Sequence, residues 1–331
     1  MRSVAFANGD HLPLLGLGTW KSAPGEVGGA VREAIRLGYR HIDGASIYGN
    51  EPEVGAAIRE AIAAGEVSRE ELWITSKLWS NSHGRENVEP ALRRTLQDLE
   101  LAALDLYLIH WPVAIRPGVG FPSSAADLLP PDDARIRATW EGMEAAREAG
   151  LSRHIGVSNF SIRKLQELLR HCRIRPEVNQ VELHPLLQQP DLVAFCRDEG
   201  IHLTAYSPLG SGDRPAALKA AGEPVLLENP VISAIAAEHG CSAAQVLLAW
   251  HLQRGISTIP KSVSPERLRQ NLAAADLTLS PADLDRIAAL DQGVRLVDGS
   301  FWLMEGSPWT LQSLDRKSTR LNSSHLVISY A

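Results

Sequence analysis

The feature that most constrains this chain is a rhythm. Short strand-like runs alternate with amphipathic stretches: "LLGLGT" then "EVGGAVREAIRLG", "YRHID" then "EPEVGAAIREAIAAG", "ELWITSK" then "ENVEPALRRTLQDLE", "LDLYLIH" then "RIRATWEGMEAAREAG". It continues with "SRHIGVSN" and "IRKLQELLRHC", "EVNQVEL" and "PDLVAFCRDEG", "HLTAYSP" and, past a long loop, "SAAQVLLAWHLQRG", then "ISTIPKS" and "PERLRQNLAAA". Parallel neighbours need a crossover between them, so eight such units with glycine-marked returns fit a closed α/β (β/α)8 TIM barrel better than an open doubly wound sheet. A length of 331 residues would also house two ordinary domains, but no Pro/Ser/Gly-rich linker splits the pattern. One domain is expected over residues 1–314. At its start, "SVAFANGDHLPLLG" reads as a β-hairpin turning at Asn8-Gly9, a small lid or plug.

Composition narrows the partners. A formal net charge of -6 lacks the basic excess that a phosphate backbone demands, so nucleic acid is not expected. Cys172, Cys196 and Cys241 lie far apart in no metal-binding spacing, which points away from disulfides and zinc. Neither a signal-peptide h-region nor a bilayer-length apolar run is present, so no membrane is expected and the cytoplasm is the expected location.

Loops that follow strands gather at the C-terminal face of a barrel, where such folds place their chemistry. Two long ones, near 112–134 and 208–227, and a segment near 293–314 are expected to rim one mouth. Phe121, Trp302 and Trp309 lie in them, and Trp20, Trp79 and Trp111 stand just past three strands. Asp43, Tyr48, Lys77 and His110 fall at or just after strand ends, so all four should converge there. Singly, each has a plain structural role: a helix cap, a loop anchor, a surface charge, a core histidine. Together they make chemistry. A lysine beside a phenol favours the phenolate and lowers its pKa, an acid beside the lysine keeps it charged, and a neutral histidine orients an oxygen that gains charge.

Seven blocks in order carry a resemblance: "GYRHIDGASIYGNE", "TSKLW", "DLYLIHWP", "IGVSNF", "VNQVELHP", "YSPLGSG" and "IPKSVSPERLRQN". Together they resemble the aldo-keto reductase family over about residues 3 to 314. The resemblance implies reversible hydride transfer between NADPH and a carbonyl or alcohol, with Tyr48 as proton donor, Lys77 and Asp43 as its tuning pair and His110 orienting a small-molecule carbonyl substrate. For the cofactor (NADPH/NADP+) it implies Thr19, Trp20 and Asp43, with Ser158, Asn159 and Gln180 at the nicotinamide amide and Tyr206 stacked on the ring. Ser207, Leu209 and Ser211 match the pyrophosphate loop, and Lys261, Ser262, Arg267 and Asn271 the adenosine 2'-phosphate and adenine site. Trp20, Trp79, Trp111, Phe121 and Trp302 would line the substrate pocket. From the residues alone, Lys261 and Arg267 flank the start of the last barrel helix, where cations and free backbone N–H groups favour phosphate.

No GxGxxG fingerprint is present: "GLGTWK" and "GSGDRP" both lack the third glycine. Gly44 and Gln270 depart from the family's usual residues at positions expected not to touch the chemistry. His184 reads as structural, and His41 is expected to point away from Asp43. Two alternatives stand beside the reductase. One is a metal-dependent barrel hydrolase using His41, Asp43, His110 and His184, although it lacks an HxH pair; the other is a non-catalytic nucleotide-binding barrel. A monomer is expected, although no residue pattern derives it. From about Asp315 the Ser/Arg/Asn-rich "DRKSTRLNSSHLVISYA" breaks the pattern and reads as a non-native or disordered tail with few barrel contacts.

Overall fold

The computed structural model describes residues 2–212, 214, 219 and 222–315. The expectation that the tail touches the barrel little therefore falls, from residue 316 on, outside the described residues. Strands β1 (Ser3–Ala5) and β2 (His11–Pro13) pair antiparallel, Val4 opposite Leu12, as the Asn8-Gly9 turn dictates. Eight parallel strands follow in chain order: β3 (Leu17–Gly18), β4 (His41–Asp43), β5 (Trp73–Leu78), β6 (Leu104–Ile109), β7 (Ser152–Ser158), β8 (Val178–Glu182), β9 (His202–Tyr206) and β10 (Ser257–Thr258). The barrel closes where the first meets the last: Leu15 bridges Thr258 and Gly18 bridges Lys261, both in parallel sense. Gly16 N donates to Thr258 O at 2.9 Å and Gly18 N to Pro260 O at 3.1 Å. Glycine is needed at the seam, because a Cβ on Gly18 would lie 2.7 Å from the Ile259 carbonyl oxygen.

The helices α1 (Val27–Leu37), α2 (Glu51–Ala63), α3 (Arg85–Leu99), α4 (Asp133–Glu148), α5 (Ile162–Leu169), α6 (Pro190–Asp198), α7 (Pro230–Glu238), α8 (Ala243–Gln253), α9 (Pro265–Ala273) and α10 (Pro281–Ala288) cover the outside. Helices α7 and α10 go beyond the eight expected units. Asn229 caps α7 by accepting from the N–H groups of Val231 and Ile232, and Ser280 and Asp283 form a capping box at α10. No single helix among the described residues is long and apolar enough to cross a membrane.

All six residues of β5 and of β6 are buried, as strands covered on both faces must be. Alternation sends Thr75 and Lys77 into the barrel and Ser76 toward the helices. At the N-terminal end, Leu12, Trp73, Leu106, Leu108 and Val178 pack with Val4 and Phe6, so the hairpin is a plug rather than a lid. One orientation differs from expectation. His41 lies two residues before Asp43 and so shares its face of the strand. It sits inside the barrel, its Nδ1 3.2 Å from Pro13 O and its Nε2 3.4 Å from Thr75 Oγ1.

Candidate active site

Strands β4, β5 and β6 deliver Asp43, Lys77 and His110 to one end of the barrel, and the short 3-10 helix Ser46–Tyr48 brings Tyr48 over them. Lys77 is 0% exposed; its Nζ donates to Asp43 Oδ1 and, at 2.7 Å, to Gly44 O. Gly44 thus touches the candidate chemistry through its carbonyl, contrary to expectation, while its missing side chain leaves only ordinary contacts near 3.6 Å. The other Asp43 oxygen accepts from Gln180 Nε2 at 2.6 Å. Lys77 Nζ lies 5.3 Å from the centre of the Tyr48 ring, and the Tyr48 and His110 rings meet edge to face at 5.8 Å.

The electrostatics correct one expectation. Tyr48 is half-buried in the mouth of the barrel. That burial, then Asp43 and Glu51, pushes the phenol well above 10, so a net lowering by Lys77 does not occur. Burial also pulls Lys77 below 10.5, against the opposing pull of Asp43 and Glu51. Burial and nearby Lys77 hold His110 well below 6.5, so the imidazole is neutral, and its buried Nδ1 has no hydrogen-bond partner among the described residues.

The residues matched to the nicotinamide form one network. Ser158 Oγ donates to Gln180 O at 2.7 Å, Asn159 Nδ2 to His110 O at 3.0 Å, and Tyr206 OH to Asn159 Oδ1 at 2.7 Å. Thr19 Oγ1 donates to Asp43 O at 3.0 Å, tying the end of β3 to this group. Asn159, Ser207 and Ser211 adopt φ of 66°, 50° and 46°, a left-handed backbone that non-glycine residues take up at a cost and that gathers at functional sites. Leu209 packs against the core between the last two. Lys21 Nζ reaches Ser211 Oγ at 3.4 Å. Across the seam, Lys261 and Ser262 precede α9, whose N-cap Ser264 accepts from Arg267 N. Arg267 is exposed, whereas Ser262 and Asn271 are buried. Gln270 donates to Glu266 at 2.9 Å, so an acid stands by that position after all. This set of amides, hydroxyls, one stacking ring and three cations suits a nicotinamide nucleotide.

An aromatic wall surrounds the mouth. Trp302, fully buried, lies 5.8 Å from both Trp79 and Trp111 and 6.2 Å from Phe121, which is 46% exposed. Trp20 lies 6.5 Å from Tyr48. Trp79 Nε1 donates to Gly120 O, and Trp309 Nε1 to Leu129 O at 2.8 Å, so strand end and C-terminal segment both pin the loop after β6. Phe301, 4.8 Å from Trp302, joins this wall unforeseen, since a lone aromatic in an aperiodic segment carries no signal beyond its type. The four candidate hydrolase ligands do not gather. His41 faces the plug, His184 lies 3.0 Å from Glu182 Oε1, and no cluster of three metal-ligating side chains occurs among the described residues. Past Trp309, Asp315 accepts from Ser161 Oγ at 2.7 Å and Arg163 Nε at 2.8 Å.

Known proteins share this fold. The profile of the Aldo/keto reductase family matches residues 14–292. An aldo/keto reductase of Synechocystis sp. is 61% identical over 314 residues, 95% of this chain and 96% of that protein. Human aldo-keto reductase family 1 member A1 is 48% identical over 296 residues, 89% of this chain and 90% of that protein. The solved aldose reductase of Schistosoma japonicum superposes with a TM-score of 0.83 at 38% identity, covering 91% of this chain and 96% of that one. Fold and sequence agree: the chain belongs to the aldo/keto reductase family, oxidoreductases that use a nicotinamide cofactor.

Proposed function

We propose that this protein reduces the carbonyl of aldehydes, ketones or aldoses with NADPH and oxidises the corresponding alcohols in reverse. The observation that carries this reading is the meeting of a protonated phenol, Tyr48, and a neutral imidazole, His110, at 5.8 Å above the buried Lys77–Asp43 pair. The nicotinamide, when bound, supplies the hydride. His110 orients the carbonyl oxygen, and Tyr48 gives its proton to that oxygen as negative charge develops there. Lys77 offsets the charge left on the phenol, and Asp43 holds the ammonium in place. Ser158, Asn159 and Gln180 orient the carboxamide, and Tyr206, fixed through Asn159, offers a flat surface to the ring. Lys261, Arg267 and the N-terminus of α9 suit a 2'-phosphate, which favours NADPH over NADH. Trp20, Trp79, Trp111, Phe121 and Trp302 line the substrate pocket and keep water from the carbonyl.

NADPH oxidation measured against a panel of aldehydes, ketones and aldoses tests the reading. Turnover of aldehydes is expected. Tight NADPH binding with no turnover of any of them would favour a non-catalytic nucleotide-binding barrel, and stoichiometric zinc with hydrolytic activity would favour the hydrolase.

A further inference from the structure

The chemistry above leaves one acid of the turn "YGNE" without a task. Glu51, the first residue of α2, is 2% exposed. Its carboxyl accepts from Ser76 Oγ on β5 and, at 3.1 Å, from Thr95 Oγ1 on α3. Ser76 immediately precedes Lys77 and points to the opposite face of the strand, so Glu51 grips β5 from the helix side where Asp43 grips Lys77 from within. Ser46 Oγ, in the turn that carries Tyr48, donates to Lys77 O at 3.2 Å and ties the same stretch to the phenol. The charged and titratable groups facing Glu51 are Asp98 on α3, Lys77 on β5, Tyr107 on β6 and Tyr48 in its own turn; Asp43 and Arg94 act on these neighbours in turn.

We propose that Glu51 is a positioning residue of the reaction: through Ser76 it fixes the segment of β5 that bears Lys77, and it sets a second negative charge behind that segment which keeps Tyr48 a proton donor in alkaline solution. The inference rests on the role of Tyr48 proposed above. Burial pushes the Glu51 carboxyl up to about 7, against the two hydroxyl donors, so its charge arrives as the solution turns alkaline. An anion near a phenol disfavours the phenolate, so the proton is retained to higher pH.

The test is the pH dependence of kcat for aldehyde reduction at saturating NADPH in wild type, Glu51→Gln, Ser76→Ala and Tyr48→Phe. Glutamine keeps the shape and can bond both hydroxyls. Its alkaline limb is expected to move down by about half a pH unit or more while the Kd for NADPH stays within about twofold. A glutamate that served packing alone would leave the limb in place. Ser76→Ala, which removes the grip and keeps the charge, is expected to lower kcat about threefold or more with the limb unmoved. If Tyr48→Phe is inactive and the Glu51→Gln profile overlies that of wild type, the inference is overturned. An unchanged kcat in Ser76→Ala overturns it equally, should the glutamine variant not fold. Activity retained in Tyr48→Phe would instead overturn the parent reading, and this one with it.

Discussion

Gln180 Nε2 donates to Asp43 Oδ2 at 2.6 Å, while the other oxygen of that carboxylate takes Lys77. A carboxylate only accepts, so this bond fixes which way the Gln180 amide faces and leaves its carbonyl oxygen free to accept from a ligand. Gln180→Glu would set two carboxylates side by side. Repulsion there should weaken NADPH binding about tenfold and lower turnover. Fluorescence titration of the variant checks this, and an unchanged Kd would remove Gln180 from the cofactor site.

Tyr48→Phe should cost about a hundredfold to ten-thousandfold in kcat for carbonyl reduction, the usual loss of a general acid, with cofactor binding close to normal. His110→Gln should raise KM for aldehydes more than it changes the Kd for NADPH, because its proposed partner is the carbonyl. Steady-state kinetics paired with binding titrations separates the two effects.

Arg267→Ala should weaken NADPH about tenfold to a hundredfold and barely change NADH, because a charge-assisted hydrogen bond contributes about 1.5–3 kcal/mol. Equal losses for both nucleotides would mean that Arg267 does not read the 2'-phosphate.

Two buried groups should bend the stability curve in opposite directions. Burial, with Arg135 nearby, holds His83 at about 3, below its ordinary 6.5. Its contribution is present above 6.5 and is lost as pH falls from there toward 3. Relative to wild type, His83→Leu should therefore lose less stability between pH 7 and pH 4, by about 3 kcal/mol. Glu51 is raised from 4.5 to about 7, so its contribution is present below 4.5 and lost as pH rises through 7. Glu51→Gln should gain on wild type between pH 4 and pH 8 by about 3 kcal/mol. Urea midpoints across this range decide both.

The barrel was legible because each unit announces itself twice, once as a β-rich run and once as a helical period. Asp43, Lys77 and His110 were legible because a barrel puts strand ends at one mouth. Helices α7 and α10 escaped because each is short and lies beside what reads as a loop, although Asn229-Pro230 and "SPAD" are start signals. The inward turn of His41 follows from strand alternation with Asp43 and was misjudged. What the sequence could not carry was the sign of the Tyr48 shift. It depends on how deeply the phenol is enclosed and on Glu51, and both are products of three-dimensional packing rather than of neighbours along the chain.

The seam between β3 and β10 bears on how the protein acquires activity. Leu15 waits for Thr258 and Gly18 for Lys261, partners made only after all the other barrel strands. Until then the nascent sheet has two raw edges, the loop to be closed holds every other barrel strand, and the residues proposed for the adenosine phosphate are absent or unplaced. Helical content should thus return early in refolding while NADPH binding lags behind it, and the waiting edges would be the surfaces through which crowded, half-made chains associate.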